Sequence, residues 1–149
     1  MKIVNAIISG FVGAATLTIA HQLLKKNFKD APEIDVLGMK TVAESLDKMG
    51  IEIPEQERLY NMSMAGDILF NTIYYAFTAT GKIPLLSGSV LGLSAGLGVI
   101  TLPGPMGLGL EYSAKNNIRK ALSISIYLLG GIAAGACYNA IKDKKGLMK

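Results

Sequence analysis

The residue that most needs a chemical explanation is Asp67, an acidic side chain inside an otherwise apolar run of helix length. Polar residues recur along this run at intervals of three or four, namely Ser63, Asp67, Asn71, Tyr74 and Thr78. On a helix this spacing places them on one face. Carboxylates within membrane-spanning helices are candidates for proton or cation binding. The first interpretation is that the carboxylate serves packing, by reaching water or by pairing with His21, Lys25 or Arg58. A proton or cation site is the alternative, and a solvated carboxylate without a role is the third.

His21 and Glu111 are predicted to join Asp67 in one polar cluster. Consecutive spans run antiparallel, so the end of the first apolar run, which holds His21, meets the beginning of the run that holds Asp67. Glu111 follows the third apolar run and emerges on the same side. The predicted proton or cation site consists of Asp67, His21, Asn71 and Glu111, near one mouth of the helices.

The composition argues against most other site chemistries. The chain has one cysteine and one histidine, which excludes an intramolecular disulfide, a cysteine metal cluster and a multi-histidine metal site. We expect no cofactor and no catalytic residue, because the glycines lack the lysine of a phosphate-binding loop and no serine has partners that would activate it. The net charge of +4 comes from lysines that flank apolar runs, which favours contact with lipid head groups over nucleic acid or nucleotide binding.

The elements that must position these residues are four apolar runs. Half of the 149 residues are hydrophobic and only 17% are charged, which indicates a single, all-α, polytopic membrane domain over residues 1–149. Each run is long enough to cross a hydrocarbon core of about 30 Å at about 1.5 Å per residue. We predict four transmembrane helices in a compact bundle, at about residues 3–24, 61–80, 83–103 and 121–141, with both termini on one side.

A fifth, amphipathic helix is predicted at about residues 35–49, lying on the membrane surface or over the ends of the spans. Its apolar positions fall at helical spacing and comprise Val36, Met39, Val42, Ala43, Leu46 and Met49. Asp35 is a plausible N-cap and Gly50 a plausible C-terminal stop. This helix either covers the bundle or binds a partner or lipid.

Glycines four residues apart predict close helix packing. Gly88, Gly92 and Gly96 share one face of the third span, and Gly131 and Gly135 share one face of the fourth. In lipid, small residues let helix backbones approach closely, and this approach holds membrane helices together. The pattern does not distinguish packing within this chain from packing against a second subunit.

Three stretches resemble the YagU-like group of small inner-membrane proteins: "SGFVGAATLT", "MAGDILFNTIYYAF" and "GLSAGLGVITLPGPMGLG". The resemblance covers about two-thirds of the chain, through patterns of glycine and other small residues. It implies a four-span protein of uncharacterised function in the cytoplasmic membrane of a prokaryote. Members carry a histidine before the glycine of the second span, where this chain has Met62 to Ala65 ahead of Gly66, so the resemblance implies no site residue.

Two functions remain open from the sequence. The excess of packing glycines over reactive groups favours an assembly or accessory protein that acts through helix–helix contacts, with copies of itself or with another membrane protein as partner. The alternative is a small proton- or cation-linked transporter or channel, with a polar path along the second span. Beyond these partners, only the lipid bilayer is expected to contact the chain.

Overall fold

The computed structural model describes the backbone of residues 2–146 and the side chains of residues 2–142. This part of the chain is 81% helix and contains no strand, which confirms the all-α prediction. The elements are α1 (Lys2–Asn27), α2 (Ile34–Lys48), α3 (Gln56–Ala76), a 3-10 helix (Phe77–Thr80), α4 (Pro84–Thr101), α5 (Glu111–Ala114) and α6 (Asn117–Gly146).

Three helices of the described chain are long and apolar enough to cross a membrane: α1, α4 and the stretch Asn117–Lys142 of α6. They coincide with the first, third and fourth predicted spans and are consistent with a multi-pass membrane protein. The second predicted span is also helical, but α3 begins in the charged segment around Gln56 and carries the polar stripe. Both features lower its hydropathy, so length and composition alone do not mark α3 as a span.

Helices α4 and α6 pack antiparallel through the predicted glycines. A Cβ atom added to Gly92 would lie 2.5 Å from the carbonyl oxygen of Tyr127, and one added to Gly96 would lie 2.8 Å from Cα of Ile124. At the other end of the contact, a Cβ atom on Gly135 would lie 2.6 Å from the carbonyl oxygen of Pro84. Gly88 and Gly131 likewise contact each other through their backbones. These five glycines therefore lie against helices of the same chain.

Helix α1 packs antiparallel to α3 on one side and contacts α6 on the other. The fully buried ring of Tyr75 lies where these helices meet, and its hydroxyl donates a hydrogen bond of 2.7 Å to the carbonyl oxygen of Tyr127. Gly13 and Gly130 leave room for this ring, since a Cβ atom on either would lie 3.0 Å from a Tyr75 side-chain atom. Together with Leu17 and Ile126, Tyr75 forms the apolar core.

Helix α2 packs against α3 and α5, at the end of the molecule where α1 ends and α3 begins. It ends as predicted: Gly50 has a φ of +69°, and its N–H donates to Asp47 O while the next N–H donates to Leu46 O, a Schellman cap. The predicted apolar face is partly wrong. Ile34, Leu37 and Leu46 are buried, whereas Met49 is 64% exposed.

The face differs because α2 does not lie on a uniform apolar surface. The Lys40 ammonium donates a 2.8 Å hydrogen bond to the carbonyl oxygen of Leu108 and lies over the ring of Tyr112. The helix is therefore rotated toward the connection between α4 and α6.

Candidate functional site

A small cavity lies between α1, α2 and α3 near this same end. Its volume is about 30 Å³, room for one or two water molecules. Three helices contribute polar side chains to its lining, which include Thr18, His21, Asp35, Tyr60, Ser63 and Asp67. The cavity therefore brings together a histidine and two carboxyl groups in a small, largely buried space.

His21 is held in a defined orientation. The residue is 4% exposed, and its Nε2 atom lies 2.9 Å from the carbonyl oxygen of Pro32. Because a carbonyl oxygen only accepts hydrogen bonds, Nε2 carries the proton in this arrangement. Nδ1 is then the basic nitrogen of the neutral ring and the atom that takes up a proton.

Asp35 is the residue of this cavity that the sequence interpretation misplaced. Helix α2 begins one residue earlier, at Ile34, and no side-chain bond caps it, so the predicted N-cap role of Asp35 is wrong. The carboxylate instead pairs with Lys25 through Oδ2, and its Oδ1 lies 3.9 Å from His21 Nε2. The sequence signal for this pairing was Lys25, which lies ten residues before Asp35 and is separated from it by a short loop that contains Pro32.

Two buried oxygen atoms of the cavity lack protein partners. The Asp35 side chain is 8% exposed, and its Oδ1 receives no hydrogen bond from any residue that the structure describes. Over the same described residues, the hydroxyl oxygen of Thr18 has no partner either. Buried polar atoms of this kind are costly unless water or another polar group satisfies them. The cavity is thus suited to a small polar occupant.

Asp67 lies on the α3 side of the cavity and is half-buried. Its Oδ1 accepts a 2.9 Å hydrogen bond from the Asn71 amide, which also bonds the Asp67 carbonyl oxygen. Asn71 in turn lines an apolar groove of about 610 Å³ between α3 and α4. The Asp67–Asn71 pair therefore separates the polar cavity from this groove.

The structure places the four predicted site residues unequally. His21 and Asp67 line one cavity, and Asn71 is bonded to Asp67. Glu111 is exposed and does not line the cavity; its carbonyl oxygen accepts a 2.7 Å hydrogen bond from Arg119. The sequence interpretation placed Glu111 on the correct side by topology, but the connection that carries it folds toward α6.

Helix α2 covers the cavity at one end, and the side chains of Leu17 and Tyr75 close it at the other. Gly38 of α2 lies directly against the Ser63 hydroxyl of α3, so α2 covers the cavity closely. The buried guanidinium of Arg119 bonds Glu33 at 3.0 Å and ties the start of α2 to α6. Toward the opposite end of the molecule, Leu17 and Tyr75 are almost completely buried and separate the cavity from the other face.

The side chains offer no metal site of the usual kind. Within residues 2–142, no group of three or more His, Cys, Asp or Glu side chains is arranged to hold a metal ion. Comparison with family models, with curated proteins and with solved structures found no match. The geometry of the cavity is therefore the basis for assigning a function.

Proposed function

We propose that this chain is a four-span membrane protein that binds and releases a proton at the cavity of His21, Asp35 and Asp67, as part of a small proton-linked transporter or channel. The observation that carries the proposal is the meeting of a buried histidine with two carboxylates around a cavity of water size. Histidine changes charge near neutral pH, and intramembrane carboxylates commonly belong to proton relays.

The charge of the cluster supports proton binding. With both carboxylates and the Lys25 ammonium ionised and His21 neutral, the formal net charge of the cluster would be −1. One added proton makes the cluster neutral, and neutrality is favoured where the dielectric constant is low. A cavity of about 30 Å³ admits water as a proton carrier but excludes larger solutes.

In this proposal α3 is the second of four spans in a compact bundle, in addition to α1, α4 and α6. With its 3-10 extension the segment runs from Gln56 to Thr80, long enough to cross the hydrocarbon core. Its outward residues Leu69, Phe70 and Ile73 are apolar and more than half exposed, which suits contact with lipid. In this arrangement α2 lies at the membrane surface. The location in a prokaryotic cytoplasmic membrane follows from the resemblance alone.

Assembly with copies or partners, the function that the sequence favoured, stays a prediction. Its basis was the set of glycine faces, and Gly88, Gly92 and Gly96 lie against α6 of the same chain. These glycines therefore explain the packing of one chain and do not favour an outside partner. The expectation that the chain has no enzymatic activity also stays a prediction.

Proton flux in proteoliposomes tests the proposal. Vesicles with wild-type protein, an interior pH dye and a potassium-driven membrane potential should acidify, and Asp67→Asn should abolish this flux because it removes the carboxylate while keeping its size. Asp47→Asn is the matched control, because Asp47 is exposed on α2 away from the cavity. Absence of flux with the wild type, or equal flux with Asp67→Asn, would refute the proposal.

A further inference from the structure

Another concave surface lies at the opposite end of the molecule from the cavity, where α1 begins. It is a groove of about 390 Å³ between α1, the 3-10 helix region and α6, here called the terminal groove. Its lining includes Lys2, Ile3, Ile7, Ile73, Phe77 and Tyr138. The three isoleucines and the phenylalanine are each more than half exposed, so the groove is apolar and open to the surroundings.

The charges around the terminal groove are almost all positive. By the course of the helices, the end that holds the groove carries Lys2, Lys82 and Lys142, and the sequence continues past Lys142 with "DKKGLMK". Of the 11 acidic residues in the chain, ten lie between positions 30 and 111, so Asp143 is the sole acidic residue in the sequence of this end. An anionic ligand is favoured there.

We propose that the terminal groove binds an anionic phospholipid, with an acyl chain along Ile3, Ile7 and Phe77 and the phosphate at Lys2. The apolar lining suits a hydrocarbon chain, and the lysine at the first turn of α1 lies at the level of lipid head groups. Tyr138, 8% exposed, lines the groove from α6. The inference does not depend on proton binding.

A second copy of the chain is a less suitable occupant. Bringing two such ends together would oppose two sets of lysines, and like charges in contact repel. A soluble anion would pair with the lysine but would not cover the exposed apolar lining of the groove. A phospholipid would pair its phosphate with the lysine and cover the apolar lining with its acyl chain.

Native mass spectrometry of the purified full chain tests the assignment, with phosphatidylglycerol and phosphatidylcholine as probes. Wild type should retain phosphatidylglycerol in preference to phosphatidylcholine. Lys2→Gln should weaken phosphatidylglycerol retention about fivefold, the factor that one lysine at an anionic surface supplies. Lys82→Gln is the matched control, because it removes the same charge at the same end from an exposed residue outside the groove.

A second variant tests the apolar part of the groove without changing charge. Ala79→Phe places a ring in the groove and should also lower lipid retention. Circular dichroism and thermal unfolding verify that each variant is folded. Equal loss in Lys2→Gln and Lys82→Gln would show diffuse surface attraction only and would overturn the proposal. Equal retention of both lipids, or unchanged retention in a folded Ala79→Phe variant, would overturn it as well.

Discussion

Gly92→Ala is the substitution whose cost follows most directly from the structure. The new Cβ atom would lie 2.5 Å from the Tyr127 carbonyl oxygen and 2.8 Å from Cα of Leu128, both backbone atoms of α6. Neither atom moves by a side-chain rotation, so the two helices must separate locally by about 0.9 Å to reach an ordinary contact of 3.4 Å. A gap of this size removes a quarter to a half of the dispersion energy of the contacts it opens.

Overpacking usually costs about 1–3 kcal/mol, and the gain in helix propensity from glycine to alanine is common to both variants below, so we expect Gly92→Ala to be less stable than Gly98→Ala by about 1–3 kcal/mol. Gly98→Ala is the control on the same helix. A Cβ atom there would meet only Leu102 Cδ1, at 3.5 Å, an ordinary contact. Because alanine favours helix over glycine, Gly98→Ala should leave stability unchanged or raise it by up to about 1 kcal/mol.

The measurement is reversible unfolding of the purified protein in mixed micelles by titration with sodium dodecyl sulfate, followed by circular dichroism. Both variants add one methyl group to a glycine of α4, so lipid and detergent effects cancel in the comparison. Equal stability of the two variants would refute the backbone contact between α4 and α6.

Two smaller predictions use matched pairs in the same unfolding assay. Tyr75→Phe should cost about 1 kcal/mol, because it removes a buried hydrogen bond of 2.7 Å, and Tyr74→Phe should cost less, because its bond is 3.1 Å long and its ring is half-buried. Equal losses of stability in Tyr75→Phe and Tyr74→Phe would contradict the greater contribution of the buried Tyr75 hydrogen bond. Gly50→Ala should cost about 1–2 kcal/mol, since its φ is +69°. Gly66→Ala, within a helix and with nothing within 4 Å of the added Cβ, should be neutral or stabilising, and a loss there would be contrary to the structure.

The sequence predicted the helices well because apolar runs and helix stops are local signals. The predicted span at residues 121–141 lies within α6, and Gly50 ends α2 as expected. The sequence also predicted that His21 and Asp67 meet, because antiparallel succession of helices brings the end of one to the start of the next. The three most apolar helices are confirmed as candidates to cross a membrane, whereas α3 is not marked by its composition.

The remaining features depend on contacts that no local pattern encodes. The rotation of α2 follows from Lys40 bonding Leu108 O, a contact across 68 positions of sequence. Arg119 reaches Glu33 across 86 positions and is buried, although its sequence context is that of a charged helix start. Asp35 lies in the cavity and pairs with Lys25, whereas an N-cap signal depends only on the local chain. Charged residues whose partners lie in another element were therefore the least predictable.

The proposed proton passage must cross closely packed helices. The cavity is built from α1, α2 and α3, and close backbone contacts join α1 to α3 at Gly10 as well as α4 to α6. Tyr74 bonds Leu91 O, but elsewhere α3 and α4 are separated by the groove that contains Asn71. A proton that leaves the cavity toward the opposite face must pass the layer of Leu17 and Tyr75. Since Tyr75 bonds the Tyr127 carbonyl oxygen of α6, and Gly10 of α1 lies against the backbone of Thr72, opening this layer must break contacts of α3 with both α1 and α6.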